Sequence, residues 1–126
     1  MIHSLRIWFN SPSREVYDSI TQVLGVEPQS VFSKEVDRDI PSVWMYEVDV
    51  SAVNDHYDYI NKFCDLLDGR YDQLKEIGIE KNQISIWTLY GYEGQCNIEY
   101  DPKDLKRLGD NGVKLCFSCW DNGYDN

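Results

Sequence analysis

The stretch NDHYDYINKFCDLLDGRYDQLKEIGIE, residues 54–80, predicts the longest helix of this 126-residue chain. Apolar side chains recur in it at steps of three and four, as they do on one face of an α-helix. They are Ile60, Phe63, Cys64, Leu67, Tyr71 and Leu74. We predict that the helix begins at Asn54, a suitable N-cap, and runs to about Glu80. Gly69 is the position at which it can kink or split, because glycine costs about 1 kcal/mol inside a helix.

Five carboxylates lie on the other side of this predicted helix. At about 100° per residue they fall within an arc of roughly 80°, almost opposite the apolar face. They are Asp58, Asp65, Asp68, Asp72 and Glu76, and we name them the acidic stripe. Their mutual repulsion is relieved only in part by Lys62, Arg70 and Lys75. The acidic stripe is therefore either an ordinary solvated helix face or a docking edge for a basic protein.

Alternating polarity and capping residues predict the other elements. Strands are expected at residues 3–9, 43–50, 83–90, 95–100 and 113–120. One further helix begins at Ser11-Pro12 and ends at Gly25, another begins at Asp101-Pro102, and a hairpin turn occupies residues 91–94. The irregular residues 26–42 are functional, mobile or hide a short strand near Val31.

The resulting order, β-α-β-α-β-β-α-β, predicts one α+β domain over residues 1–126. Because the strands alternate between apolar and polar side chains, each face of the sheet has a different environment. We expect a five-stranded mixed or antiparallel sheet with the helices packed on one face.

The chain is strongly acidic, with 22 Asp and Glu against 12 Lys and Arg and a formal net charge of −10. This balance argues against binding to nucleic acid or to an anionic membrane, and it permits steered association with a basic partner. No apolar run is long enough to span a bilayer, and residues 1–10 resemble a strand rather than a signal peptide. The four cysteines are interpreted as reduced thiols. We therefore predict a cytoplasmic protein.

No residue pattern indicates catalysis, a cofactor or a metal site. Cys116 and Cys119 have a CxxC spacing, but residues three apart in a strand face opposite ways and cannot share one centre. His3 and His56 lack a matched set of ligands. A Ser-His-Asp set, a phosphate-binding glycine loop and a dinucleotide fingerprint are also missing from the sequence. The sequence predicts that the protein is not an enzyme.

Strand parity predicts a second candidate surface. If Leu5, Ile7, Ile84 and Ile86 face the helices, the opposite face of the sheet carries a set of aromatic and polar side chains. They are Trp8, Trp87, Trp120, Arg6, Glu47, Asn97 and Glu99. Trp and Arg are enriched at binding hot spots, so this face is a candidate interaction platform. Two alternatives have equal weight: residues 26–42 cover this face, or the sheet curls and buries both of its faces.

Several short motifs resemble those of the bacterial domain-of-unknown-function family 4279. They are Leu5-Arg6-Ile7, Val23-Leu24-Gly25-Val26-Glu27-Pro28, Val43-Trp44 and the run IEYDPKDLKRL at residues 98–108, which a glycine turn and the last strand follow. The resemblance covers nearly the whole chain. Residues 31–39 are acidic, whereas many relatives carry a more basic, glycine-containing stretch there, so a ligand role shared at that place is in doubt. The resemblance implies a bacterial α+β domain with no established enzyme activity, and small relatives look like cargo of toxin–immunity loci.

These observations lead to a functional hypothesis. The protein is expected to be an immunity-type protein that neutralises a basic bacterial toxin, a nuclease, by occluding its active site. The expected contact residues are the acidic stripe, the three tryptophans of the sheet face, Glu47 and Glu99. Two alternatives stay open: a small-ligand or sensor domain that uses the tryptophan-bearing face or a pocket beneath residues 26–42, and a weak homodimer that pairs those faces.

Overall fold

The computed structural model describes residues 1–29, 40–50 and 57–124 of the chain. Its strands and helices are β1 (Ile2–Trp8), α1 (Arg14–Leu24), β2 (Val43–Asp49), α2 (Tyr59–Leu67), α3 (Tyr71–Glu76), β3 (Ile84–Tyr92), α4 (Pro102–Asn111) and β4 (Lys114–Asp121). Short 3-10 turns lie at Lys81–Gln83 and Asn122–Tyr124. The predicted N-cap Asn54, His56 and the strand considered near Val31 fall outside the described residues. The predicted α+β class is confirmed.

The strands form a mixed sheet in the order β2-β1-β3-β4. β1 is antiparallel to both of its neighbours, whereas β4 runs parallel to β3. In this register Leu5 lies opposite Tyr46 on one side and Ile86 on the other. The mixed sheet was predicted correctly, but the prediction of five strands is wrong, since the described residues contain four.

Residues 95–100, the predicted fourth strand, do not pair with any strand of the sheet. The predicted hairpin between β3 and these residues is therefore wrong. The strand after α4 pairs with the free side of β3 instead. Residues 95–100 still alternate between half-buried and exposed side chains, because Cys96, Ile98 and Tyr100 turn towards the protein. Tyr100 packs on Phe117 of β4, with ring centroids 6.0 Å apart. The alternation was therefore real, but it arose from packing rather than from strand pairing.

The predicted long helix is two helices, α2 and α3, which are separated at Gly69. Gly69 adopts φ +77°, a left-handed conformation that side chains other than glycine rarely take. Arg70 then donates its Nη1 to the Leu66 carbonyl at 2.9 Å, which caps the end of α2. The chain therefore turns between the two helices.

Of the other predicted helix boundaries, the end of α1 and the start of α4 are confirmed, and the start of α1 is wrong. Gly25 ends α1 with φ +72°, and Asp101-Pro102 begins α4. α1, however, begins after Ser13 rather than at Ser11-Pro12, because the Ser13 hydroxyl accepts the Val16 N–H at 3.1 Å. A serine that reaches a free amide three residues ahead satisfies one of the unpaired donors of the first turn.

The core lies between the sheet and the helices, which contribute to one apolar cluster. Leu5, Ile7, Ile84 and Ile86 supply its sheet side and are almost fully buried, as parity predicted. The helices add Ile20, Leu24, Phe63, Leu67, Leu74 and Leu108. All four helices thus pack against the same face, and the end of this face near the start of β1 carries the site.

Candidate functional site

A cleft of about 940 Å³ opens where the first turns of α2 and α4 meet the end of β3 and the start of β1. We name it the tyrosine-lined cleft. Its walls and floor include His3, Tyr57, Tyr59, Tyr90 and Tyr100. Its rim carries four carboxylates and one lysine: Asp58, Glu99, Asp101, Asp104 and Lys103. This volume lies within the range of roughly 300–1,000 Å³ that is typical of ligand pockets.

His3 forms the buried end of the cleft, with only 3% of its surface exposed. Its ring stacks on Tyr59, with centroids 3.8 Å apart and an angle of 9° between the planes. Its Nδ1 is hydrogen-bonded to the Thr88 hydroxyl at 2.9 Å. Burial, with a smaller contribution from the positive amino terminus, lowers the pKa of His3 to about 4. The imidazole is therefore neutral near pH 7.

Tyrosine hydroxyls surround the same end of the cleft. The hydroxyls of Tyr59 and Tyr100 are hydrogen-bonded to each other, and both interact with the Thr88 hydroxyl. Burial raises the pKa of Tyr59 and, to a smaller extent, that of Tyr100. Both phenols therefore stay protonated, and the floor of the cleft is polar but uncharged.

The rim of the cleft is organised by Asn61 in the first turn of α2. Its Nδ2 donates to both oxygens of Asp58, at 3.0 and 2.9 Å, and to Asp104 of α4 at 2.9 Å. One amide group thus holds two carboxylates of the rim close together. Glu99 and Asp101 are exposed, and no described residue bonds to their carboxylates.

The acidic stripe is partly neutralised by the protein itself. Arg107 of α4 places its Nη2 at 2.6 Å from Asp65 and at 2.6 Å from Asp68, and its Nη1 donates to Asn61 Oδ1 at 2.7 Å. Only cations on the same helix were predicted as partners of these carboxylates, because the approach of α4 is a tertiary contact. Asp72 and Glu76 remain exposed on α3, and Asp58 lies at the cleft. The five carboxylates therefore do not form one free surface.

Where α4 contacts α2 and the start of α3, residues with higher numbers in one segment contact residues with higher numbers in the other. Asn61 contacts Asp104, Asp68 contacts Arg107, and the Tyr71 hydroxyl donates to Asn111 at 2.6 Å. α4 therefore runs parallel to α2, and its last residue meets the first residue of α3. Because α2 and α4 are parallel, their first turns both border the cleft.

We expect replacement of Arg107 by alanine to lower the free energy of unfolding by about 1–2 kcal/mol, since it removes several charged hydrogen bonds and leaves Asp65 and Asp68 to repel each other. Urea denaturation measures this. Lys106→Ala is the matched control, because among the described residues Lys106 pairs only with Asp110, on the exposed side of the same helix. Equal midpoints for the two variants would show that Arg107 does not hold α2 and α4 together.

Parity correctly placed the tryptophans on the face away from the helices, but they do not form one platform. Trp87 pairs with Ser4 and with Cys116 near the middle of the sheet. Trp8 follows Ile7, which pairs with Ile84, whereas Trp120 pairs with Gly91. Trp8 and Trp120 are thus separated by about eight residues along β3, roughly 26 Å.

The middle of this outer face is occupied by contacts within the protein. The Arg6 guanidinium stacks over Trp87 at 4.5 Å, and Arg6 Nε donates to the Ser4 hydroxyl at 3.0 Å. Glu47 lies near Arg6. The buried residues on this face include Met45 as well as Ser4. Trp8 and Trp120 are each about half exposed, at 46% and 47%. The middle of the outer face is therefore partly covered by side chains of the sheet itself, whereas cover by residues 26–42 falls largely outside the described residues and stays a prediction.

Glu99 and Asn97 were predicted on the outer face, and this placement is wrong. Both lie on the helix side, at the tyrosine-lined cleft, because residues 95–100 are not part of the sheet. The prediction for Cys116 and Cys119 is confirmed: Cys116 pairs with Trp87 and Cys119 with Tyr90, so the two face opposite sides of the sheet. Within the described ranges, no group of three or more His, Cys, Asp or Glu side chains could hold a metal ion.

The sequence patterns do not predict the cleft. His3 was considered only as a metal ligand, and no binding role was predicted for the tyrosines. A usable signal was present, since four of the nine tyrosines line this one place. Nothing in the local pattern shows that residues 57–61, 97–104 and the start of β1 come together.

Comparisons with known proteins add no relative: no family model, no curated protein and no solved structure matches this chain. The resemblance to the domain-of-unknown-function family 4279 therefore stays a prediction. None of the helices in the described part of the chain combines the length and apolar content needed to cross a membrane.

Proposed function

We propose that the protein is an inhibitory binding protein of the immunity type, which neutralises a basic bacterial toxin in the cytoplasm by covering its active site. The observation that carries this proposal is the charge of the tyrosine-lined cleft. Four carboxylates and one lysine border it, in a chain whose formal net charge is −10. Such a site attracts and orients a positively charged partner before contact.

A nuclease is the class of toxin that fits this charge best. Its substrate is a polyanion, so the surface around its active site is positive. Covering that surface requires no chemistry from the inhibitor. In this proposal the cleft rim and the exposed Asp72 and Glu76 contact the toxin, whereas Asp65 and Asp68 act indirectly through Arg107.

The partners to test are the basic proteins encoded beside this chain's gene. For a partner that this chain inhibits in a one-to-one complex, we expect the double variant Glu99→Gln/Asp101→Asn to slow association several-fold at low salt. The association rate should also depend less on salt concentration, because steering depends on charge near the contact. Stopped-flow fluorescence measures the association rate.

The matched control removes the same two charges from a distant helix. Glu15→Gln/Asp18→Asn on α1 gives the same net charge and leaves the cleft intact. If both double variants slow association equally, the cleft is not the contact. Failure of the chain to inhibit any neighbouring basic protein would overturn the proposed function itself.

A second candidate function is the binding of a small molecule, and the volume of the cleft favours it. A specific ligand would raise the melting temperature through mass action. A thermal-shift screen against metabolites separates the candidates, since a toxin inhibitor should give no response to the library.

A further inference from the structure

We propose that the tyrosine-lined cleft binds the guanidinium group of an arginine side chain, which the protein partner inserts as an anchor. The inference rests on the proposed function for the source of the arginine. Four features of the cleft support it: the charges at the two helix ends, the acceptors on the floor, the half-buried tyrosine rings and the volume.

The helix ends at the cleft are already occupied by anionic groups of the protein. The N-terminus of a helix carries a partial positive charge and attracts anions. Here Asp58 is the N-cap of α2, Asp101 is the N-cap of α4, and Asp104 lies in the first turn of α4. A phosphate or carboxylate ligand would meet these three side chains, so the position left for a ligand suits a cation.

The floor of the cleft offers hydrogen-bond acceptors and no positive charge. His3 Nδ1 is bonded to Thr88, whereas Nε2 has no partner among the described residues. His3 is itself one of the residues that line the cleft. With Nδ1 as the donor to Thr88, Nε2 and the phenol oxygens can accept the N–H groups of a guanidinium, which has five donors.

The tyrosine rings provide faces against which a flat cation can stack. Tyr57, Tyr90 and Tyr100 are half-buried, so part of each side chain is accessible from the cleft. Cations already stack on aromatic rings elsewhere in the protein, as in the contact of Lys81 with Tyr71 at 4.3 Å. Guanidinium is planar and more weakly hydrated than ammonium, so arginine suits such a site better than lysine.

The volume of about 940 Å³ exceeds what one side chain fills. The cleft can therefore hold the arginine together with its neighbours in a loop of the partner. This is the arrangement of an interface anchor, a buried arginine or aromatic residue that fills a pocket and contributes a large share of the binding energy.

The test uses the full chain and a short peptide, acetyl-Gly-Arg-Gly-amide, at low salt. We expect saturable binding that is followed by chemical-shift changes, and at least about ten-fold weaker binding of the peptide with citrulline, the neutral isostere of arginine. The lysine peptide should also bind more weakly. Glu99→Gln should weaken arginine-peptide binding about three-fold, whereas Glu15→Gln, which removes an exposed carboxylate from the distant α1, should leave it unchanged.

Equal binding of the arginine and citrulline peptides overturns the inference, and so does equal weakening by the two variants. Spermidine tests a small-molecule source of the cation, and a spermidine affinity more than about ten-fold tighter than that of the peptide overturns the assignment to a protein partner. The proposed function fails separately. Arginine binding without inhibition of any toxin would leave the inference standing, whereas inhibition that does not depend on Glu99 would remove the inference and keep the function.

Discussion

Replacing Phe63 by alanine should lower the free energy of unfolding by about 3–5 kcal/mol, the largest effect that we expect from a single substitution. Phe63 is fully buried in the core. Its ring meets Tyr59 and Tyr46 edge-on, with centroids 6.3 and 6.2 Å away. Because Tyr59 stacks on His3, Phe63 also supports the floor of the cleft.

Urea denaturation followed by circular dichroism measures the loss. Phe117→Ala is the matched control: it makes the same change at a position that is 44% exposed, where we expect a loss of about 1 kcal/mol or less. If Phe63→Ala leaves too little folded protein, Phe63→Leu should cost about 1–1.5 kcal/mol. Equal losses for Phe63→Ala and Phe117→Ala would contradict the assignment of Phe63 to the core.

The second large effect is a dependence of stability on pH that arises from His3. Its pKa is about 4 in the folded protein and about 6.5 in an unfolded chain. As the pH falls below about 6.5, the unfolded state takes up a proton before the folded state does, so the free energy of unfolding decreases. The slope is at most about 1.4 kcal/mol per pH unit, or about 3 kcal/mol in total by pH 4, and the contribution of His3 to the slope becomes small above about pH 7.5.

The measurement compares wild type with His3→Asn between pH 5 and pH 8. The asparagine amide can replace Nδ1 in the hydrogen bond to Thr88, but it does not titrate. Other groups titrate alike in both proteins, so the difference between the two stability curves isolates His3. We expect wild type to lose about 2 kcal/mol more than the variant between pH 8 and pH 5. Parallel curves would show that His3 is not buried in the neutral form.

Local sequence signals predicted much of the fold. Gly25 ended α1 and Asp101-Pro102 began α4 because caps act within a few residues of the chain. Parity placed Leu5 and Ile86 in the core, since alternation is a property of the strand itself. Ser11-Pro12 failed as a start of α1 because Ser13, two residues later, makes the capping contact.

The remaining errors depend on contacts between distant segments. Residues 95–100 alternate like a strand, but which segment pairs with β3 is decided by competition with β4. The acidic stripe was predicted on one arc of a single helix, but its members lie on two helices and at the cleft. The pairing of Asp65 and Asp68 with Arg107 required the position of α4. The candidate site was missed for the same reason, because His3, Tyr59 and Tyr100 come from three separate elements.

The structure also changes which experiments are informative about the acidic stripe. Charge reversal at Asp65 or Asp68 would disrupt the contact with Arg107, and would therefore alter stability as well as partner binding. Asp72 and Glu76 are exposed on α3 and can be neutralised without that effect. The exposed rim residues Glu99 and Asp101 offer the same advantage at the cleft.

The site of arginine binding can be mapped by following the backbone amide resonances of the whole chain during the peptide titration. We expect the saturable shifts to fall on residues 57–61 and 97–104 and at the start of β1, with little change on the outer face around Trp8 and Trp87. Shifts that centre on the outer face, or that spread over every acidic surface without saturating, would contradict this expectation.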